Sequence, residues 1–470
     1  MNPGDTGHGY PILMPGEGEG LAVPGPPERE TVAFEADDSG VEELTWGQWS
    51  IWEAMARHGS WLPLGGSKRL PAGVSVEDIA DELRYLMTRY PSMRTRLRFD
   101  AAGHPTQELF GSGKIDLEIY DVNGDGTEPE QLADCVEAHY RHAAFDFADD
   151  WPVRMAVIRR HGELTHMVVI MCHLVTDGAG ARVMLSEVES RTSAPPTGMQ
   201  QLEQARWQQS AAGRRQNDMA LRYFERVLRT ITPRRLPGPP DPRSPRHWIG
   251  EFRSHALRSA AHAIAQRTGA ASSPVLLALF AIALARITEI NPVVARPLVG
   301  NRFRPDLADV VCMLALPGIC VLDVADVTVD EAVARAQRAT MSAYKYGYYD
   351  PRLLAELIGR ISRERGPDFD ISCLFNDRRD ERGALSPTAP ISAAELHDAR
   401  DESTFRWAAK TDRPSERLFL NIEDEPDGLL LVVSADTHYF PPAHFESLAR
   451  GIEEVAIEAA VDPAAPTKVS

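Results

Sequence analysis

The chain has 470 residues, is 43% hydrophobic, and sets 68 acidic against 50 basic side chains for a formal net charge of -18. That length exceeds one ordinary core and predicts two domains of roughly 200 residues each, while the charge argues against nucleic acid or an anionic membrane as partner. Cys135, Cys172, Cys312, Cys320 and Cys373 show no CxxC pair and no zinc-site spacing, which excludes a disulfide framework and points to a reducing compartment. The start lacks the basic and apolar regions of a signal peptide, and no stretch reaches the roughly eighteen apolar residues of a membrane span. The expectation is a soluble, cytoplasmic protein.

Taken in order, the chain opens with a glycine- and proline-rich stretch containing Pro3-Gly4, Pro15-Gly16 and Pro24-Gly25-Pro26-Pro27; it is expected to form a disordered tail over residues 1–35. Thr45 can cap a helix carrying Trp49 and Trp52. Val76, Ile79, Leu83, Leu86 and Met87 mark a second helix, which Pro91 ends, and Met93 to Phe99 alternate as a strand. After an Asn123 to Gly126 turn, a helix carries His139 and His142 on one face. These could ligate metal, but no third ligand is indicated.

The run Val168-Val169-Ile170-Met171-Cys172 then leads into His173-Leu174-Val175-Thr176-Asp177-Gly178-Ala179-Gly180, with Val183, Met184, Leu185 and Val188 at helical spacing behind it. Strand, loop and helix follow one another here. A histidine at the end of a buried strand is held by the sheet while its ring can face a cleft, which is how a fixed general base is built. Because neighbouring side chains on a strand point to opposite faces, Cys172 should face the core and form no dyad with His173.

A patch rich in Pro, Thr and Ser (192–198) separates this first lobe from an Arg-rich helix over residues 201–230, and the prolines between Pro233 and Pro245 mark a surface linker. Ten arginines between Arg206 and Arg246 form one basic segment in an acidic chain; a solvated helix is the plain reading and a docking face for an acidic partner the sharper one. The second lobe opens with a strand at Trp248 to Leu257 and a helix from Ser259. The helix from Ser273-Pro274 to Ile287 is apolar almost all round and should be buried. Helix Asp330 to Tyr344, the Tyr346 to Pro351 segment and a strand ending at Asn376-Asp377 follow. Residues 378–403 read as a long functional loop, and a hairpin around Asp427-Gly428 and a helix from Pro442 to Ala460 complete the chain.

The order of these segments resembles the condensation domains of nonribosomal peptide synthetases and the wider chloramphenicol-acetyltransferase-like acyltransferases. The resemblance rests on Thr45 to Trp52, Met93-Arg94-Thr95, Ala144 to Arg154, His173-Leu174-Val175-Thr176-Asp177-Gly178, Gly300-Asn301-Arg302 and the closing hairpin and helix. It implies an α/β fold of two acyltransferase-like lobes, a V-shaped pseudo-dimer with the active site at their junction: residues 36–195 and 247–470, joined by 196–246. It also implies His173 as the base, Asp177 as a structural carboxylate paired with an arginine, and Gly178 as a backbone position near the oxyanion. Arg302, Arg94 and Arg154 are the candidate partners of Asp177, and Cys172, Tyr346 and Asn376 the candidate tunnel residues. Where the family has its first histidine this chain has Cys172.

The implied activity is that of a free-standing condensation enzyme. An acyl or aminoacyl group would pass from phosphopantetheine on an acyl or peptidyl carrier protein, acting in trans, to a small-molecule amine or alcohol. No bound cofactor or metal is expected. Coenzyme A as the donor and a non-catalytic docking module are the competing readings; an epimerase variant would need a Glu-Gly-His segment that the second lobe lacks.

Overall fold

A computed structural model describes residues 25–122, 126–233, 236, 242–366, 369–379, 392–413 and 415–470. In chain order its first elements are β1 (Glu28–Glu35), β2 (Gly40–Glu43), α1 (Trp46–His58), β3 (Leu64–Arg69), α2 (Val76–Arg89), β4 (Thr95–Phe99), β5 (Pro105–Leu109) and β6 (Ser112–Asp121). Then come α3 (Pro129–His142), β7 (Val153–Arg160), β8 (Glu163–Met171), α4 (Gly178–Ser190), α5 (Gln201–Gln209) and α6 (Ala211–Thr230). Thr45 caps α1 in a reciprocal capping box with Gln48, and Gly59 ends it in the left-handed region at φ 59°.

The chain forms two units. The first comprises Met1–Arg214 and Gly300–Ala315, the second Arg215–Val299 and Leu316–Ser470. In the first, a mixed five-stranded sheet runs β1-β6-β7-β8-β3, with β6 and β7 parallel and the other pairs antiparallel; β2-β5-β4 form a separate sheet. Strands β7 and β8 are buried on both faces. Met155, Val157, Met167 and Met171 pack with Ile79, Leu83 and Met87 of α2, whereas Ala156, Ile158, Val168 and Ile170 pack with Leu132, Val136 and Tyr140 of α3. That double burial is why β8 reads as a continuous apolar run.

The second unit continues with β9 (His247–Ser254), α7 (His255–Thr268), α8 (Ser272–Thr288), β10 (Val293–Val299), β11 (Leu316–Pro317), β12 (Cys320–Leu322), α9 (Val329–Tyr346) and α10 (Pro351–Arg365). It ends with β13 (Cys373–Asp377), α11 (Ala393–Asp401), β14 (Thr404–Thr411), β15 (Leu418–Glu425), β16 (Gly428–Asp436) and α12 (Ala443–Val461). An eight-stranded sheet runs β11-β10-β13-β15-β16-β9-β14 with β12 beside β10. Its core joins Leu418, Leu420, Leu431 and Val433 to α7, α8, α9 and α12, and α8 is buried almost all round. Among the described residues no single helix is long and apolar enough to cross a membrane.

Several expectations need correction. Residues 28–35 are not tail but β1, an edge strand whose Val32 and Phe34 enter the core; residues 1–24 and the 123–125 part of the expected turn lie outside the described residues. The linear boundaries 36–195, 196–246 and 247–470 give way to units that interleave, because Gly300–Ala315 belongs with the first. The Arg-rich segment is two helices broken at Ser210, with the unit boundary inside α6. The expected loop at 378–403 contains α11, which Ser392 caps through a box with Glu395; its 380–391 part lies outside the described residues.

Candidate active site

Strand β8 stops at Met171, and the next residue keeps the strand's inner face: Cys172 is fully buried, its N–H donates to Pro152 O at 2.9 Å, and its thiol lies 3.8 Å from Trp61 O. Burial pushes that thiol up to about 12. Cys172 therefore sits among Trp61, Phe145, Val168 and Ile170 in a hydrophobic core, not on a tunnel wall, because the residue that follows Met171 alternates onto the α3 side of the sheet.

The chain then turns, with Val175 N–H donating to Cys172 O at 3.0 Å, and His173 is the half-buried residue of the turn. Its Nδ1 lies 3.1 Å from Thr176 O. A carbonyl can only accept, so Nδ1 carries the proton and, in the neutral ring, Nε2 carries the lone pair. The loop ends at Asp177, the N-cap of α4, whose Oδ1 accepts from Gly180 N at 2.9 Å.

The second oxygen of Asp177 is as fully engaged. Oδ2 accepts from Arg302 Nη1 at 2.8 Å and from the backbone N–H groups of Leu314 and Ala315 at 3.0 Å each. Arg302 in turn donates to Gly300 O at 3.2 Å, Val310 O at 3.0 Å and Cys312 O at 3.3 Å. Asn301, left-handed at φ 57°, donates to Leu314 O at 2.9 Å. The Gly300–Ala315 segment is thus folded around one guanidinium, and Asp177 closes it onto the histidine loop. Charge-assisted bonds of this kind repay the desolvation of a buried carboxylate, which would be costly alone.

Arg94 and Arg154 lie elsewhere. Arg94 is buried and binds Asp38 through its carboxylate and, at 3.0 Å, its carbonyl, with Phe110 O at 2.9 Å. Arg154 donates to Tyr140 O and Asp150 Oδ2, both at 3.2 Å, and lies 5.2 Å from the Trp61 ring. Two of the residues read as tunnel positions belong to the second unit: Tyr346, at the end of α9, stacks on Tyr223 with centroids 4.5 Å apart, and Asn376 donates to Asn421 Oδ1 at 2.9 Å.

The two glycines after Asp177 differ. A Cβ at Gly178 would meet nothing closer than Arg182 Nη1 at 4.0 Å, whereas one at Gly180 would fall 2.3 Å from Thr176 Oγ1 and 2.9 Å from Arg302 Nη2. Exposed Gly178, at the first turn of α4, leaves room for another molecule, and Gly180 is the position that close packing reserves for glycine. The sequence motif points to Gly178 but not to Gly180 or the amides of Leu314 and Ala315, although the second glycine of Asp177-Gly178-Ala179-Gly180 is a signal for the close packing.

The family model described as Condensation domain matches residues 49–468. The chain belongs to the condensation-domain family. Phosphinothricin tripeptide synthetase PhsC of Streptomyces viridochromogenes is 25% identical to this condensation domain over 428 residues, 84% of the chain and 38% of that protein. Its share of the curated relatives it matches runs from 1% to that 38%. Among solved structures, the condensation domain of chain release from the enacyloxin polyketide synthase is 18% identical with a TM-score of 0.67, covering 96% of this chain and 85% of that one. The X-domain of teicoplanin biosynthesis, solved in complex with OxyB, is also 18% identical with a TM-score of 0.67, covering 93% of this chain and 97% of that one. At these identities the structural likenesses establish the fold, a mixed α/β condensation-domain fold.

Proposed function

We propose that this condensation domain transfers an acyl or aminoacyl group from a carrier-protein phosphopantetheine thioester to a small-molecule amine or hydroxyl, with His173 as the base. The observation that carries this reading is the bond from His173 Nδ1–H to Thr176 O, which sets the tautomer a base requires. As the acceptor nitrogen or oxygen attacks the thioester carbonyl, Nε2 takes its proton; the new C–N or C–O bond forms, the C–S bond breaks, and the imidazolium returns the proton to the departing thiolate. No acyl-enzyme is needed, because the donor already carries a thiol leaving group. Asp177 and Arg302 fix the loop, and the backbone N–H of exposed Gly178 is the candidate donor to the developing oxyanion. Coenzyme A could supply the same thioester chemistry.

A second reading, a docking module without chemistry, is favoured by buried Cys172 at the place of the family's first histidine. Intact-mass measurement decides between them. Carrier proteins charged with candidate acyl groups should lose the acyl mass only when this chain and an acceptor are both present; retention of that mass across the acyl and acceptor panel would favour the docking module.

A further inference from the structure

Beyond Arg214, helix α6 belongs to the second unit, and its sides can be told apart. Asn217, Ala220, Phe224 and Leu228 are buried, with Phe224 edge-on to Tyr349 at 5.0 Å. One flank holds Tyr223, which stacks on Tyr346 and donates to Ile319 O at 3.3 Å. The other holds Glu225, whose carboxylate lies 3.0 Å from Arg229 and 3.6 Å from Arg360. Arg215, Met219, Arg222 and Arg226 remain. Their spacing of four, three and four residues puts them on one outward stripe, and all are exposed, Met219 to 45%.

Three other arginines of this segment show what an arginine does here when its role is structural. Arg206 pairs with Glu42, Arg229 with Glu364 and Arg246 with Asp436, the last two at 2.7 and 2.6 Å. Arg215, Arg222 and Arg226 make no ion pair among the described residues; Arg226 only overlies the Tyr223 ring at 5.5 Å. Like charges four residues apart repel along a helix; of the two carboxylates on the near flank, Glu225 is already taken, and exposed Asp218 makes no ion pair with these arginines among the described residues, so one acidic group stands against three cations. An exposed, adaptable thioether sits between the cations. In a chain of net charge -18, an acidic partner is repelled on average and needs a local basic face to approach productively.

We propose that this ridge is the docking surface for the acidic carrier protein that brings the thioester donor, an inference that rests on the carrier-borne donor of the preceding section. The test is the double variant R222E/R226E, both positions being exposed and outside the reacting loop. With an acyl-loaded acidic carrier protein as donor, its KM should rise about tenfold at low salt, while kcat/KM for the same acyl group on N-acetylcysteamine stays unchanged. Equal effects on both donors, or none on either, overturn the docking role. Binding of a fluorescein-labelled holo carrier protein separates this inference from the proposed chemistry: the wild-type chain should bind it in a salt-sensitive way, and the double variant more weakly, whether or not transfer follows. Wild-type binding that is absent, or unchanged by the double variant, overturns the inference even where transfer is observed.

Discussion

Asp177 and Arg302, 125 positions apart in the chain, meet at 2.8 Å between Oδ2 and Nη1. Both also bond to backbone: Asp177 accepts from Gly180, Leu314 and Ala315, and the two terminal nitrogens of Arg302 donate to Gly300, Val310 and Cys312. The pair therefore ties two loops that are each ordered around it. A carboxylate whose lone pairs are spent on four donors is poorly placed to exchange protons with a substrate, which is why the proposed reaction assigns the loop's chemistry to His173 and the backbone N–H of Gly178 and not to Asp177.

Asp177→Asn should destabilise the fold by about 3 kcal/mol, because the amide sets N–H donors against Arg302 and backbone N–H groups and leaves a largely buried guanidinium uncompensated. The urea midpoint of the purified variant measures this. A variant of wild-type stability that is nonetheless inactive would instead give Asp177 a part in the reaction.

His173→Ala should lower acyl transfer by about a hundredfold or more while the protein stays folded, since a positioned base typically contributes that much. The ring is half-buried at a turn, so a large loss of stability is not expected. Unchanged turnover in the folded variant would remove His173 from the mechanism.

What could be read from the chain alone was whatever its neighbours along the chain determine. The Thr45 cap, the β8 run and the hairpin turn at Asp427-Gly428 are local, and each appears where its residues predict. Strand β1 is not legible in the sequence because only Val32 and Phe34 of its eight residues are buried, too few apolar positions against a background of prolines and glycines upstream. The partner of Asp177 narrows to three arginines with Arg302 preferred, but the sequence cannot decide between them, because burial and distant contacts send Arg94 to Asp38 and Arg154 against Trp61. The interleaving of the units is likewise a long-range property, carried by contacts of Gly300–Ala315 such as Ser92 Oγ to Val311 O at 3.0 Å.

Gly180→Ala should cost about 1–3 kcal/mol, because its Cβ would overlap Thr176 Oγ1 and crowd Arg302 Nη2. Gly178→Ala should leave stability within about 0.5 kcal/mol, as at an ordinary surface position. If the amide at 178 works against substrate, the added methyl lowers kcat/KM without lowering the melting temperature. Thermal melts and initial rates on the same two variants make the comparison; equal destabilisation by both would contradict the packing difference.

The buried thiols provide a test of the direct-transfer mechanism. Burial pushes Cys172, Cys312 and Cys320 from their ordinary 9.0 up to about 12. The unfolded chain then loses these protons first, so the stability they contribute is fully present below pH 9 and is lost as pH rises from about 9 to about 12. Alkaline titration of the urea midpoint should show that decline. Near pH 8, iodoacetamide should leave all three unmodified in the native protein and label all three in urea, because the thiolate is the reactive form. Cys172→Ala should cost about 1 kcal/mol and keep most transfer activity, since a proton-bearing thiol in the core cannot attack a thioester. An acyl adduct on Cys172 during turnover, together with loss of activity in the alanine variant, would replace direct transfer by a covalent route.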